Sequence, residues 1–175
     1  MLLCGHGEGE TELRNHIFDL DGTVICSKHR QRLKPNGDLD LAHWIANAAS
    51  SHVVMKDSLL PFARYWKALQ HGGAFPSICT SRTISHLEID FLLKHGLHYE
   101  KFISRAKGDM RGDADYKVAR IREHLDATGW DASTTTLYDD HPEVRAAVKQ
   151  ILGVRVFDPV PFNSRALTSN MKIAC

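Results

Sequence analysis

IFDLDGTVICS, residues 17 to 27, is the most informative stretch of this sequence. An apolar run of strand type leads into Asp19 and Asp21, and Gly22 and Thr23 follow. Side chains two residues apart on an extended segment point the same way, so both carboxylates face one side of the chain. Two acids that end an apolar strand and point together are more typical of a chemical site than of a folded core.

Composition limits the classes of protein to consider. The chain has 175 residues, 43% of them hydrophobic, and a net charge of +1, which suits one compact domain without a globally basic nucleic-acid-binding surface. The four cysteines are scattered without CxxC spacing, as in a reducing cytoplasm. No apolar stretch reaches the roughly 18 residues that span a bilayer, and MLLCGHGEGE does not resemble a signal peptide. We therefore expect a soluble, cytoplasmic protein.

Apolar runs of strand length alternate with segments of helical period, which is typical of a parallel sheet covered by helices on both faces. The predicted strands lie at 15–20, 75–80, 101–104, 134–138 and 154–158. The predicted helices lie at 40–49, 57–70, 84–96, 113–125 and 142–152. The second of these helices has Asp57 or Ser58 as its N-cap and Pro61 in its first turn. The tail after Pro159 is predicted to be irregular.

Polar side chains follow three of the predicted strands. They are Asp19 and Asp21 after the first strand, Thr80, Ser81 and Arg82 after the second, and Asp139 and Asp140 after strand 134–138. Ligands of open α/β sheets bind beyond the carboxyl ends of the strands, so these side chains are expected to converge. Clustered carboxylates repel one another unless a cation lies among them, and an oxygen-only set suits a hard ion such as Mg²⁺.

Four motifs in order resemble those of the haloacid dehalogenase-like (HAD) phosphohydrolases. DLDGTV, residues 19 to 24, resembles the first motif, DxDGT followed by an apolar residue, and ICTSR, residues 78 to 82, resembles the second. Lys117 resembles the third-motif lysine, with Lys107 and Arg105 as alternatives, and LYDDHPEV, residues 137 to 144, resembles the acidic fourth motif. The resemblance implies a three-layer Rossmann-like α/β fold, with helices on both faces of a parallel sheet, a small flap and no large cap domain.

The resemblance also implies a domain organisation. It places an N-terminal extension at 1–14, a HAD-like phosphatase domain at 15–160 and a C-terminal tail at 161–175. Within the domain it implies a flap and helical insert at about 27–56.

Roles for individual residues follow from the same resemblance. Asp19 would be the nucleophile that forms an aspartyl-phosphate, and Asp21 the general acid and base. Thr80 and Lys117 would bind the transferring oxygens. The implied Mg²⁺ ligands are Asp19, the main-chain carbonyl of Asp21, Asp139 and Asp140. The implied substrate-binding residues are Gly22, Thr23, Ser81, Arg82 and Arg111.

A narrower similarity concerns the substrate. Residues 104 to 125 resemble the 3'-phosphatase half of bacteriophage polynucleotide kinase/phosphatases, through Gly108, Asp109, Arg111 and Asp113. The sequence contains no GxxxxGK[ST] phosphate loop, so no kinase half is expected. This resemblance would place a phage-encoded chain in the host cytoplasm.

A second hint is the basic segment SKHRQRLK, residues 27 to 34, which follows the nucleophile motif. Basic side chains on a flap could attract a nucleotide or a nucleic-acid end. The leading hypothesis is therefore a Mg²⁺-dependent phosphomonoesterase acting on a nucleic-acid 3'-phosphate end or a nucleotide. The alternatives are a small-metabolite or nucleoside-monophosphate phosphatase of the 5'-nucleotidase type and a noncatalytic phosphate-binding module.

Overall fold

The structure of the chain is a computed structural model that describes residues 15–30, 32–37, 40, 42–43 and 51–173. The predicted N-terminal extension at 1–14 and seven of the ten residues of the helix predicted at 40–49 lie outside these residues. None of the helices in the described ranges is long and apolar enough to cross a membrane.

The described strands and helices follow the predicted alternation. The strands are β1 (Asn15–Phe18), β2 (Ile25–Cys26), β3 (Ser58–Leu59), β4 (Ser77–Thr80), β5 (Phe102–Ser104), β6 (Thr135–Tyr138) and β7 (Arg155–Phe157). The α-helices are α1 (Ser51–Val54), α2 (Ala63–His71), α3 (His86–Lys94), α4 (Asp113–Thr128), α5 (Pro142–Leu152) and α6 (Val160–Ile173), and a 3-10 turn spans Lys28–Arg30.

Five parallel strands form the central sheet in the order β5-β4-β1-β6-β7. The central strand β1 pairs Phe18 with Ile78 on one side and with Tyr138 on the other. The polar residues that follow β1, β4 and β6 therefore leave the sheet at the same edge. The predicted parallel sheet is confirmed.

Two apolar clusters cover the two faces of the sheet, because successive residues of a strand point to opposite sides. Phe18 packs with Trp66 of α2 and Phe91 of α3 in one cluster. Ile17 packs on the other face with residues of α4 and α5, among them Ile121 and Val148. The prediction of helices on both faces is confirmed.

The predicted start of the second helix is wrong. The helix begins at Ala63, because Ser58 and Leu59 instead form β3, which pairs antiparallel with β2. The Leu60 amide continues this pairing with a 2.9 Å hydrogen bond to the Val24 carbonyl. Asp57 and Ser58 therefore do not cap the helix, and Pro61 precedes it.

The prediction of an irregular tail is also wrong, since α6 begins directly after Pro159. Its second residue, Pro161, is compatible with a helix because the first turn leaves its amides without intrahelical partners. The buried side chain of Asn163 attaches the helix to the rest of the fold. It donates to the carbonyls of Gly22 at 3.3 Å and Thr23 at 3.1 Å, and it accepts from the Phe62 amide at 2.8 Å.

Candidate active site

Asp19 and Asp139 lie side by side at the carboxyl edge of the sheet. The Asp19 amide donates to the carbonyl of Tyr138 at 2.9 Å, which continues the β1–β6 pairing by one residue. Asp139 is therefore the first residue after β6, just as Asp19 is the first residue after β1, and the two lie at the same level of the sheet. Both carboxylates are buried, with 6% of Asp19 and none of Asp139 exposed. The sequence-predicted convergence of these two acids is present in the structure.

Lys117 lies between the two carboxylates. Its Nζ donates to Asp19 Oδ1 at 2.7 Å and to Asp139 Oδ2 at 2.6 Å. Burial alone would lower the pKa of Lys117, but the charges of Asp19 and Asp139 outweigh it and raise the pKa above its ordinary value. The amine therefore stays charged at neutral pH.

The same geometry separates the three candidates for the third-motif cation. Lys107 is exposed. Arg105 donates to the Ser81 carbonyl at 2.7 Å and to Asp113 Oδ1 at 2.7 Å. Of the three, Lys117 is the one that contacts Asp19 in the described part of the chain.

Burial raises the pKa of the Asp19 carboxyl well above its ordinary value. Desolvation is the main cause, and the neighbouring charges of Asp139 and Asp21 add to it. Lys117 acts in the opposite direction through its charge and its hydrogen bond. The lysine thus favours the ionised form of Asp19, whereas burial and the neighbouring acids favour the protonated form.

Asp140 completes a group of three acids. Asp19, Asp139 and Asp140 each offer an oxygen, and these oxygens lie within 4.8 Å of one another. Burial, followed by the charge of Asp139, raises the pKa of Asp140. A set of carboxylate oxygens alone fits a hard divalent cation such as Mg²⁺. The predicted contribution of Asp21 to the metal, through its main-chain carbonyl, stays a prediction.

Gly22 allows the turn that brings Asp140 close to the first motif. Its φ is +74°, in the left-handed region that favours glycine. A Cβ at this position would lie 2.1 Å from Asp140 Oδ2. The glycine of the DxDGT motif is therefore required both by its backbone conformation and by the carboxylate beside it.

The carboxylate of Asp21 is not one of the three acids whose oxygens lie within 4.8 Å of one another, and it has its own donors. The Ser27 hydroxyl donates to Asp21 Oδ1, and Arg82 Nη1 lies 3.2 Å from each carboxylate oxygen. Arg82 is thus paired with the predicted acid, and its predicted substrate-binding role stays a prediction. Sequence reasoning missed Ser27, although it lies six positions after Asp21 on the same motif.

Three hydroxyl groups belong to the first and second motifs. Thr80 is buried, and its Oγ1 accepts from the Arg82 amide at 3.3 Å. Ser81 Oγ and Thr23 Oγ1 are buried without a hydrogen-bond partner among the described residues. Buried polar atoms are normally satisfied by protein, water or ligand. The described protein does not provide a partner for either of these two hydroxyls.

Arg111 does not join this arrangement in the described structure. Its Nε lies 3.0 Å from Asp109 Oδ1, and its guanidinium lies over the ring of Tyr116. This hydrogen bonding lowers the pKa of Asp109 to about 2. GDMRGD, residues 108 to 113, forms a loop before α4. Arg105 holds this loop, because its Nη1 donates to the carbonyls of Asp109 and Arg111. The substrate-binding role of Arg111 stays a prediction.

The predicted basic flap is partly wrong. Arg30 is only 1% exposed, and its guanidinium pairs with Asp57 and with Glu88. A buried and paired arginine cannot attract a polyanion. Lys28 and Lys34 remain exposed, so the local basic surface is smaller than the sequence indicated.

Arg145 and Asn163 are supporting residues that the motifs did not reveal. Arg145 Nη1 donates to the Asp139 carbonyl at 2.6 Å, and its Nη2 pairs with Asp158 at 2.9 Å. Asn163 bonds to the carbonyls of the first-motif turn. Neither position carries a motif signal, because each acts through backbone carbonyls, which any residue type provides.

Comparison with known proteins shows the family of this chain. The bacteriophage T5 5'-deoxynucleotidase family matches residues 10–174. The chain belongs to this family. The 5'-deoxynucleotidase of Escherichia phage T5 is 34% identical over 96 residues, which are 53% of this chain and 36% of the phage protein. The matched stretch thus spans little more than a third of that relative's length.

Solved structures similar to this family member share its fold. A haloacid dehalogenase-like protein from Streptococcus pneumoniae has a TM-score of 0.60 at 12% identity and covers 85% of each chain. A HAD-superfamily hydrolase from Geobacter sulfurreducens has a TM-score of 0.61 at 14% identity, over 84% of this chain and 87% of the other. A chain of the Pnkp1/Rnl/Hen1 complex has a TM-score of 0.61 at 23% identity, over 82% of this chain and 45% of the other.

These structures confirm the predicted Rossmann-like fold, which the two haloacid dehalogenase-like proteins share with this chain. The matched family is described by a 5'-deoxynucleotidase, and such enzymes are phosphoric monoester hydrolases, the predicted enzyme class.

Proposed function

We propose that the chain hydrolyses the phosphate ester of 5'-deoxynucleoside monophosphates in a Mg²⁺-dependent reaction, with Asp19 as the nucleophile. The observation that carries the proposal is the buried pair of Asp19 and Asp139 joined by Lys117. The family supports this substrate class, since its members are described as 5'-deoxynucleotidases.

The three-acid group fits the implied metal, and Asp19, Asp139 and Asp140 would hold it together with the Asp21 carbonyl. When bound, Mg²⁺ supplies positive charge that offsets the repulsion between a carboxylate nucleophile and an anionic phosphate. All three acids are buried or half-buried. Negative charges held together in such a low dielectric raise the free energy of the folded protein unless cations offset them.

In the first chemical step Asp19 attacks phosphorus, and the bond between phosphorus and the ester oxygen breaks. The electron pair of that bond goes to the leaving oxygen, which takes a proton from Asp21. The product is an aspartyl-phosphate on Asp19 and a free nucleoside. Lys117 supports this step because its charge and its hydrogen bond favour the ionised form of the attacking carboxylate.

In the second step water attacks the aspartyl-phosphate, and Asp21, now ionised, takes the proton from that water. This step regenerates Asp19 and releases inorganic phosphate. The hydroxyls of Thr80 and Ser81 lie at the end of β4 and would donate to the phosphate oxygens in both steps.

A nucleic-acid 3'-phosphate end is the second candidate substrate. The similarity of residues 104 to 125 to the phage 3'-phosphatases supports it. The start of this segment adjoins the second motif, since the Arg105 amide donates to the Arg82 carbonyl at 2.9 Å. The burial of Arg30 counts against it, since less positive surface remains for a polyanion. We therefore rank the mononucleotide first.

The test is release of inorganic phosphate by the purified chain with Mg²⁺. The panel comprises 5'-deoxynucleoside monophosphates, 3'-deoxynucleoside monophosphates and a 3'-phosphorylated oligonucleotide. We expect the highest kcat/KM on the 5'-monophosphates and loss of activity with chelator. A higher kcat/KM on the oligonucleotide would reverse the ranking, and inactivity on every ester would favour the noncatalytic module.

The phage relative also supports a proposal on location. A chain of this family encoded by a phage would act in the host cytoplasm, where deoxynucleotides are available.

A further inference from the structure

Glu88 connects Arg82 to a second buried arginine. Its Oε1 accepts from Arg82 Nη2 at 3.0 Å and from Arg30 Nη1 at 3.3 Å. The carboxylate is 2% exposed. Arg82 uses its other terminal nitrogen, Nη1, to contact both oxygens of Asp21 at 3.2 Å.

The network continues beyond Arg30 to Asp57. Arg30 Nε donates to Asp57 Oδ1 at 2.8 Å, and Arg30 Nη2 pairs with Asp57 Oδ2. Charges of alternating sign thus run from Asp57 through Arg30, Glu88 and Arg82 to Asp21. The chain of contacts joins the segment before β3, the 3-10 turn, α3 and the second motif to the predicted acid.

We propose that Glu88 is a positioning residue that holds the Arg82 guanidinium against Asp21 and so sets the direction of the general acid. This inference rests on the proposed function. A guanidinium is a rigid planar fork, so a carboxylate that fixes one nitrogen also fixes where the other points. Buried ion pairs are weak evidence for stability, and their better-attested use is to fix one geometry among alternatives.

Glu88 also has an ordinary structural task, the capping of α3. Its Oε2 accepts from the Ser85 amide at 2.9 Å and from the Ser85 hydroxyl at 2.7 Å. The Ser85 hydroxyl in turn accepts from the Leu87 amide at 3.2 Å. Capping therefore uses one carboxylate oxygen and the arginines use the other. This division lets the two tasks be separated by mutation.

The leaving group reports whether Asp21 is aligned. A nucleoside leaves as a strongly basic alkoxide unless it receives a proton, whereas p-nitrophenolate is a weak base and leaves without one. Because kcat/KM reports the steps through the first irreversible bond cleavage, it isolates this requirement. The ratio of kcat/KM for a 5'-deoxynucleoside monophosphate to that for p-nitrophenyl phosphate is the readout. A smaller folded fraction lowers both values equally and leaves the ratio unchanged.

The central variant is Glu88→Gln, which keeps the size of the side chain and an oxygen for the cap. We expect it to lower the ratio by about 10-fold or more, a part of the 10²- to 10⁴-fold that general acid catalysis contributes. Ser85→Ala is the matched control. It removes the capping hydroxyl and should lower the melting temperature while leaving the ratio at the wild-type value.

Asp57→Asn is the second variant, since it weakens the hold on Arg30 without touching the cap. It should lower the ratio in the same direction as Glu88→Gln by a smaller factor. In the Glu88→Gln, Asp21→Asn double variant the ratio should equal that of Asp21→Asn alone, because Glu88 acts through Asp21.

Two results would overturn the inference. An unchanged ratio in Glu88→Gln, with a lowered ratio in Asp21→Asn, rejects the role of Glu88 and leaves the proposed function intact. An unchanged ratio in Asp21→Asn rejects the acid role itself and with it the positioning role. Absence of phosphatase activity in the wild-type chain is a separate failure, that of the proposed function.

Discussion

Lys117 Nζ lies 2.7 Å from Asp19 Oδ1, although 98 positions separate the two residues in the sequence. The same amine lies 2.6 Å from Asp139 Oδ2, so one cation is shared by two buried acids. Removing a single partner from such a group leaves uncompensated charge in a low dielectric. This relationship makes Lys117 the most informative residue to change first.

We predict that Lys117→Met lowers kcat by about 100-fold or more, because it removes a charge that favours the ionised Asp19 and faces the transferring phosphate. The measurement is steady-state phosphate release, with circular dichroism to check the fold. Lys107→Met is the control, since Lys107 is an exposed lysine on the neighbouring loop. Similar losses in both variants would argue against the assignment of Lys117.

Asp19→Asn should lower kcat by more than about 10⁴-fold, as expected for loss of a nucleophile. The change is nearly isosteric, so the circular dichroism spectrum should stay close to that of the wild type. Asp126→Asn, at an exposed position of α4, provides the control. Near-normal activity of Asp19→Asn would reject the nucleophile assignment.

Gly22→Ala tests the close approach of Asp140 to the first motif. The new Cβ would lie 2.1 Å from Asp140 Oδ2, and the alanine would also have to adopt a positive φ. Gly129→Ala adopts nearly the same φ, +71°, and meets nothing within 4 Å. We expect about 1 kcal/mol of destabilisation from the backbone conformation in both variants.

The difference between these two variants measures the clash. Denaturant unfolding should show a larger loss for Gly22→Ala, and its phosphatase activity should fall while that of Gly129→Ala is retained. Equal stability and activity in the two variants would show that Asp140 yields to the methyl group without consequence.

Asn163→Ala should destabilise the fold by about 2 kcal/mol or more, because it leaves the Phe62 amide and the carbonyls of Gly22 and Thr23 without their shared partner. Activity should fall as well, since two of these groups belong to the first-motif turn. Ser164→Ala, at the exposed neighbouring position, is the control for denaturant unfolding. Equal midpoints for the two variants would contradict a structural role of α6.

We predict that the buried His124 makes the free energy of unfolding fall in mild acid. Burial lowers its pKa below the ordinary value, and its Nε2 lies 3.0 Å from the Ser77 hydroxyl. The unfolded chain therefore binds a proton on this residue more readily than the folded chain does. Its contribution is complete above the unfolded-state pKa and is lost as the pH falls from there through the folded-state pKa.

The measurement is the free energy of unfolding of the wild type and of His124→Gln between pH 7.5 and pH 5, a range that includes the ordinary histidine pKa of 6.5. One proton contributes a slope of at most about 1.4 kcal/mol per pH unit. The curve of His124→Gln should be flatter than that of the wild type, whereas exposed His98→Gln should match it. Parallel curves for His124→Gln and the wild type would reject the assignment.

The alternation of strands and helices and the positions of the first, second and fourth motifs could be predicted from the sequence. In a parallel sheet the strand ends meet at one edge, so residues that follow β1, β4 and β6 are brought together by the architecture itself. This is why Asp19, Thr80 and Asp139 could be assigned to one site before any distance was known. Gly22 could be predicted for a different reason: the DxDGT motif is contiguous in the sequence, so its glycine is recognised without knowledge of the fold.

The tertiary structure alone decided which partner each charged side chain takes. Lys117 and Lys107 look alike in sequence, yet only the first contacts Asp19 within the described residues. Arg30 belongs to a basic run and is nevertheless buried against Asp57. Asn163 bonds to the carbonyl of Thr23, 140 positions away. Such choices depend on burial and on contacts between distant segments, and no local pattern in a sequence encodes them.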